Sequence, residues 1–165
     1  MQAKKDAGNG NNFSDFPSRI FIDADALVGI ADKEDTNHKD AIKLAKLVAK
    51  RKISLITSNF ALGEAITIVS QNVGHQKAVR MGYDIQKGKI VVIDVVQEQR
   101  EKAMGKFSKQ TTKNARFTDM VNMVLMDELK IDTIFSFDEH YPKMGINFWC
   151  KDCEYKLFCG DLNSG

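Results

Sequence analysis

The sequence predicts an α/β fold with parallel strands. Short β-branched runs alternate with amphipathic helical stretches, pairs of helices fill the gaps between runs, and the runs at residues 19–23 and 131–138 end in carboxylates. Such alternation joins strands through right-handed helical crossovers, so the parallel strand tips share one edge. A strand that stops at Asp23 delivers that acid to the edge where open α/β sheets bind ligands. The competing reading is that Asp23 or Asp25 caps the helix that follows, which contributes about 1 kcal/mol.

A chain of 165 residues, 43% of them hydrophobic, holds one well-cored domain. Residues 1–18 are polar and rich in Asn, Gly, Lys and Asp, the composition of a disordered arm. Residues 19–149 form the expected domain, and residues 150–165 a tail carrying Cys150, Cys153 and Cys159. The net charge of +2 does not announce nucleic-acid binding, so any basic surface must come from local clustering. No run approaches the roughly 18 apolar residues of a membrane span, and the first 17 residues lack a signal-peptide core. Three cysteines leave an odd thiol in any monomeric pairing. A cytoplasmic, reducing compartment is the expectation.

A short helix at 24–30 follows the first strand, and a second runs over about 38–50. In the second, Ile42, Ala45, Leu47 and Ala49 supply the apolar side, and Lys39, Lys43, Lys46 and Lys50 a basic stripe that reads as a solvated face. Residues 52–57 make the second strand, with Ser58 and Asn59 placed to cap a helix ending near Asn72. Glu64 lies there between Phe60 and Ile68, where an acid needs a metal or a basic partner. A helix at 75–86 leads to a third strand ending at Asp94, which reads as the cap of the next helix. From 100 to 116 the chain is basic and polar, the composition of a flexible segment, and Lys109, Lys113 and Arg116 are its phosphate-binding candidates. Thr118-Asp119 opens a periodic helix in which Val121, Val124, Leu125, Glu128 and Leu129 share a side. A fourth strand delivers Asp138, and Pro142 and Gly145 turn the chain into a last strand at 146–149.

Asp23 and Asp138 leave strand tips, while Glu64 and Asp119 lie near the starts of helices on the same edge. Clustered carboxylates repel one another and are poor for stability, yet they suit octahedral Mg²⁺ or Mn²⁺. That chemistry points to metal-assisted phosphodiester hydrolysis.

The stretches IFIDADAL, SNFALGEA and FTDMVNMVLMDELKIDTIFSFDEHY resemble, in order and spacing, the motifs of PIN-domain nucleases over residues 19–149. The resemblance implies a three-layer α/β/α sandwich with a mostly parallel five-stranded sheet, single-stranded RNA as substrate and frequent homodimers. It assigns Asp23, Glu64, Asp119 and Asp138 to a Mg²⁺ or Mn²⁺ site as catalytic acids, with Thr118 as the hydroxyl residue before the third acid. Many bacterial and archaeal members are VapC-type toxins held by an antitoxin protein. Asp25 departs from the pattern, since the family more often has Ser, Thr or Asn there, and implies an added ligand or altered metal preference.

Two other functions compete. Asp23-Ala24-Asp25 mimics the nucleophile and acid of haloacid-dehalogenase-like phosphatases, but Ala26-Leu27 replaces that family's Gly-Thr or Gly-Val. A non-catalytic PIN-like module would bind RNA or protein through the lysine stripe, at odds with four retained acids. Cys150, Cys153 and Cys159 supply three of the four ligands of a structural zinc site, so ordinary tail cysteines are favoured.

Overall fold

Runs of Ile, Val, Phe and Thr build the strands β1 (Arg19–Ile22), β2 (Ser54–Ser58), β3 (Ile90–Ile93), β4 (Thr133–Phe135) and β5 (Asn147–Trp149). The helices are α1 (Ala24–Ala31), α2 (His38–Lys50), α3 (Asn59–Asn72), α4 (His75–Lys87), α5 (Gln97–Phe107), α6 (Phe117–Leu129) and the single turn α7 (His140–Lys143). These elements belong to a computed structural model that describes residues 17–88, 90–111 and 114–149. The expected N-terminal arm through Phe16, Lys113 and the three cysteines lie outside the described residues.

The five strands pair in the order β3-β2-β1-β4-β5, and every pairing is parallel. Chain order reverses between β1 and β4, where Ile22 pairs with Phe135 and the Asp23 amide extends the ladder to the Phe135 carbonyl at 3.1 Å. Such a switch point leaves a crevice at the strand tips. Because side chains alternate across a strand, Ile20 and Ile22 face α1 to α4 on one side of the sheet. Phe21, Ile56 and Ile134 face the other side, where Val124, Leu125 and Met120 of α6 and Ala103 of α5 cover them. The three layers are thus helices, sheet and helices, as the family resemblance implied.

Several local expectations change. Residues 100–107, read as the start of a flexible segment, instead continue the helix α5 from Gln97. Its Ala103 is fully buried, and its lysines are neutralised: Lys102 Nζ stands 2.8 Å from both Glu98 and Glu128, and Lys106 Nζ 3.5 Å from Asp127. Glu128 therefore belongs to the solvent side of α6, not to its apolar stripe. In α2 the buried face is Ala41, Leu44 and Val48, one step out of phase with the expected set, and Lys39, Lys43, Lys46 and Lys50 are exposed. Asp94 is exposed and does not cap α5, whose N-cap residue is Val96. The turn into β5 contains α7, closed by Gly145 at φ 79°, a conformation that favours glycine.

Ser58 joins the two sides of the sheet at the tip of β2. Its Oγ accepts from the Ala61 amide at 3.0 Å, capping α3, and donates to Asn122 Oδ1 of α6 at 2.9 Å. Losing a cap and a buried partner together should destabilise, so Ser58→Ala is expected to cost about 1–3 kcal/mol in urea denaturation. A cost below about 0.3 kcal/mol would mean that this hydroxyl does not tie α3 to α6.

Candidate active site

Asp23 takes both roles that the sequence left open. As N-cap of α1 it accepts from the Ala24 amide at 2.7 Å, and the same Oδ1 accepts from Asn122 Nδ2 at 2.8 Å. Its Oδ2 accepts from the Tyr141 hydroxyl at 3.1 Å and lies 3.4 Å from Ser136 Oγ. Asp23 is only 5% exposed. Asp119, 3% exposed in the first turn of α6, accepts from the Arg116 amide at 2.8 Å. Its other oxygen lies 3.4 Å from the same Tyr141 hydroxyl, so the tyrosine bridges two acids.

Glu64 reaches the site from the second turn of α3. There the Arg116 guanidinium approaches it at 2.6 Å, which supplies the basic partner its apolar neighbours required. Arg116, one of the phosphate candidates, is thus an ion-pair partner within the acid group. Burial disfavours its charge, but Glu64, Asp119 and Asp23 together raise its pKa above the ordinary value. Asp138 accepts from the His140 amide at 2.9 Å and lies 2.6 Å from His140 Nδ1. Thr118 is half-buried beside Asp119. Lys109 lines a different feature, a groove between α5 and α6 shared with Lys102, Lys106 and Lys130.

The acids feel one another. Burial, then Asp25 and Asp119, push the Asp23 carboxyl up to about 8. Burial raises Asp25 to about 6 against the amide of Phe137 and the hydroxyl of Ser136, with Asp138 adding to the rise. Asp119 is raised by burial, then by Asp138 and Glu64, with Arg116 opposing. Tyr141 is held well above its ordinary pKa by burial, Asp23 and Asp119, which keeps it a hydrogen-bond donor. Ser58 was expected only as the cap of α3, which it is, and Tyr141, Asn122 and Ser136 were given no role at the site. The nearest signals were Asn122 one turn after Asp119, and Tyr141 three residues after Asp138.

Among the described residues, no group of three or more His, Cys, Asp or Glu side chains is arranged to hold a metal ion by itself. Much of the oxygen surface of Asp23 and Asp119 is instead taken by protein donors. Buried carboxylates that raise one another's pKa nevertheless make a site short of positive charge, and hard oxygen donors fit Mg²⁺ or Mn²⁺. Mg²⁺ in particular keeps several waters and uses one or two carboxylates plus substrate phosphate, so a complete protein cage is not required.

A parallel sheet of this order, flanked by helices on both faces, is the arrangement of a PIN-type fold. A solved structure similar to this chain is that of Mycobacterium tuberculosis VapC20, described as a sarcin-ricin loop cleaving toxin. It superposes with a TM-score of 0.73 and 22% identity, over 79% of this chain and 98% of that chain. No protein-family model matches the sequence, and no curated protein matches it.

The raised Asp23 has a stability consequence. Its folded pKa of about 8 lies above the ordinary 3.8, so between those values the folded state holds a proton that the unfolded chain releases. The contribution is fully present below the lower value and is lost as pH rises through the upper one. In EDTA, the wild-type urea midpoint should therefore fall relative to Asp23→Asn as pH is raised from about 4 to about 8. Parallel pH profiles would show that Asp23 ionises without opposition.

Proposed function

We propose that this chain is a divalent-metal-dependent endoribonuclease that hydrolyses phosphodiester bonds of single-stranded RNA, with Asp23, Glu64, Asp119 and Asp138 as its acids. The carrying observation is the Asp23–Tyr141–Asp119 bridge, which gathers two buried acids at the switch point of a PIN-type sheet. The fold likeness to VapC20, a toxin that cleaves the sarcin-ricin loop, supports RNA as the substrate class. Asp23, Asp119 and Asp138 would hold Mg²⁺ or Mn²⁺, with Glu64 beside them. When bound, the ion supplies Lewis-acid neutralisation of phosphate charge and acidifies water.

The chain's own groups do the rest. Asn122 and Tyr141 fix both oxygens of Asp23, and the high pKa of Tyr141 keeps its proton on the phenol at neutral pH. Arg116 steadies Glu64, and its side chain is 59% exposed, leaving guanidinium edge for an incoming phosphate. Lys109, which lines the separate groove between α5 and α6, and Lys113 are the further phosphate-binding cations of this reading. Asp25 counts against the phosphatase alternative: its carboxylate accepts from the Phe137 amide and the Ser136 hydroxyl rather than standing free as an acid.

The same fold likeness supports a small antitoxin protein as partner, and the exposed Val96, Met104 and Phe107 of the α5 region support a homodimer. Among the described residues no helix is long and apolar enough to cross a membrane, and a cytoplasmic setting suits an RNA substrate.

Asp23→Asn, Asp119→Asn and Glu64→Gln should each reduce Mg²⁺- or Mn²⁺-dependent cleavage of mixed RNA by at least about a hundredfold, since each removes an anionic oxygen with little change of shape. Asp94→Asn, exposed at the β3 tip, should cleave like wild type. Equal losses in all four variants would misplace the site. Replacing Lys109 and Arg116 by Gln should weaken RNA binding and flatten its salt slope by about 0.7 for each phosphate no longer neutralised. An unchanged slope would make these ordinary surface cations.

A further inference from the structure

Asp25 is the acid that the proposed reaction leaves without a task. It sits on the first turn of α1, yet its hydrogen bonds run to the other side of the switch point. Asp25 Oδ2 accepts from the Phe137 amide at 2.7 Å and from Ser136 Oγ at 3.0 Å, partners more than a hundred residues away in sequence. Ser136 Oγ in turn accepts from the Asp138 amide at 3.1 Å. One carboxylate oxygen thus holds two consecutive residues of the loop after β4, and a hydroxyl relays that hold to the backbone of Asp138.

The second oxygen, Oδ1, is buried without a hydrogen-bond partner. Such an atom is costly in a folded protein, so the carboxylate is not at this position for stability alone. Serine or threonine would lack the reach of an Asp side chain and could not receive both donors at these distances. The loop being held is the one that matters most to the site. It carries Asp138, and it leads directly into α7, whose Tyr141 hydroxyl meets Asp23 and Asp119.

We propose that Asp25 is a positioning residue that latches the β4–α7 loop to the start of α1 and so sets where Asp138 and Tyr141 stand around the metal-binding acids. The latch rests on the metal-dependent function proposed above and adds the residue that holds its fourth acid in place. It acts through an acceptor oxygen at the right reach, not through direct coordination of the ion by Asp25.

Asp25→Ala and Asp25→Asn in the full chain separate these roles, because Asn keeps an acceptor oxygen and drops the charge. Mn²⁺ affinity is read by electron paramagnetic resonance, the latch by hydrogen exchange of the Phe137 amide, and folding by melting in EDTA. Partners of metal-site ligands typically contribute about 10–100-fold to affinity, so Asp25→Ala should weaken Mn²⁺ binding by that order, and Asp25→Asn should restore it to within about threefold. Phe137 protection should follow the same order, and kcat on RNA should fall with KM nearly unchanged. If Asp25→Ala does not fold, Ser136→Ala breaks the relay to Asp138 and should weaken Mn²⁺ in the same sense.

Wild-type Mn²⁺ affinity and Phe137 protection in Asp25→Ala, or in Ser136→Ala should it stand in, would overturn the latch alone. Asp25→Asn as weak as Asp25→Ala with Phe137 still protected would make Asp25 a direct ligand and overturn it too. A wild type that binds no Mn²⁺ would instead overturn the metal-dependent function, and the latch's role with it.

Discussion

Burial of like charges at the β1–β4 switch point is the constraint on which the site depends. A carboxylate at the end of a central strand cannot escape the sheet, and Asp23 is covered by α1, by the loop after β4 and by Asn122 and Tyr141. Water is excluded from it while Asp25 and Asp119 stand near. Isolated, such a group would be neutral at most physiological pH values, since removing a charge from water is expensive. The surrounding hydrogen bonds soften that cost without removing it.

The rest of the tip region can be understood as a response to this problem. Ser58 holds Asn122, Asn122 and Tyr141 hold Asp23, and Tyr141 reaches on to Asp119. The donors come from β2, α6 and α7, so the packing of both helical layers fixes the orientation of one carboxylate. Networks of this kind are strong when every member is satisfied. Arg116 brings a guanidinium to these acids, and it is committed to Glu64 on the exposed side. A divalent ion is the simplest further charge that would relieve the interior.

The fold was legible because its signals are local. Strands of Ile, Val and Phe ending in Asp23 or Asp138, and helices at regular spacing, specify alternation, and alternation specifies a parallel sheet. Several local signals misled, two of them for identifiable reasons. Residues 100–107 look like the start of a flexible polar segment, but Glu and Lys are good helix formers, and Lys102 and Lys106 pair with Glu128 and Asp127 of α6. In α2, Ile42 and Ala45 suggested a face one step from the buried Ala41, Leu44 and Val48, an error that small apolar residues on both sides invite. Motif order brought Asp23, Glu64, Asp119 and Asp138 into view, whereas the partners of Asp23 could not be read. Asn122 is 99 residues from it and Tyr141 is 118, and no periodicity encodes a hydrogen bond across that distance. Arg116 was visible as a cation, but its commitment to Glu64 is a tertiary fact.

The central claim is that the acids around Asp23 form a divalent-metal site, and locating the ion tests it most directly. Crystals of the full chain grown without metal and soaked in millimolar Mn²⁺ should give an anomalous scattering peak within coordination distance, about 2.0–2.3 Å, of carboxylate oxygens of Asp23, Asp119 or Asp138. A peak confined to other residues, or no peak at any Mn²⁺ concentration the crystals tolerate, would contradict it.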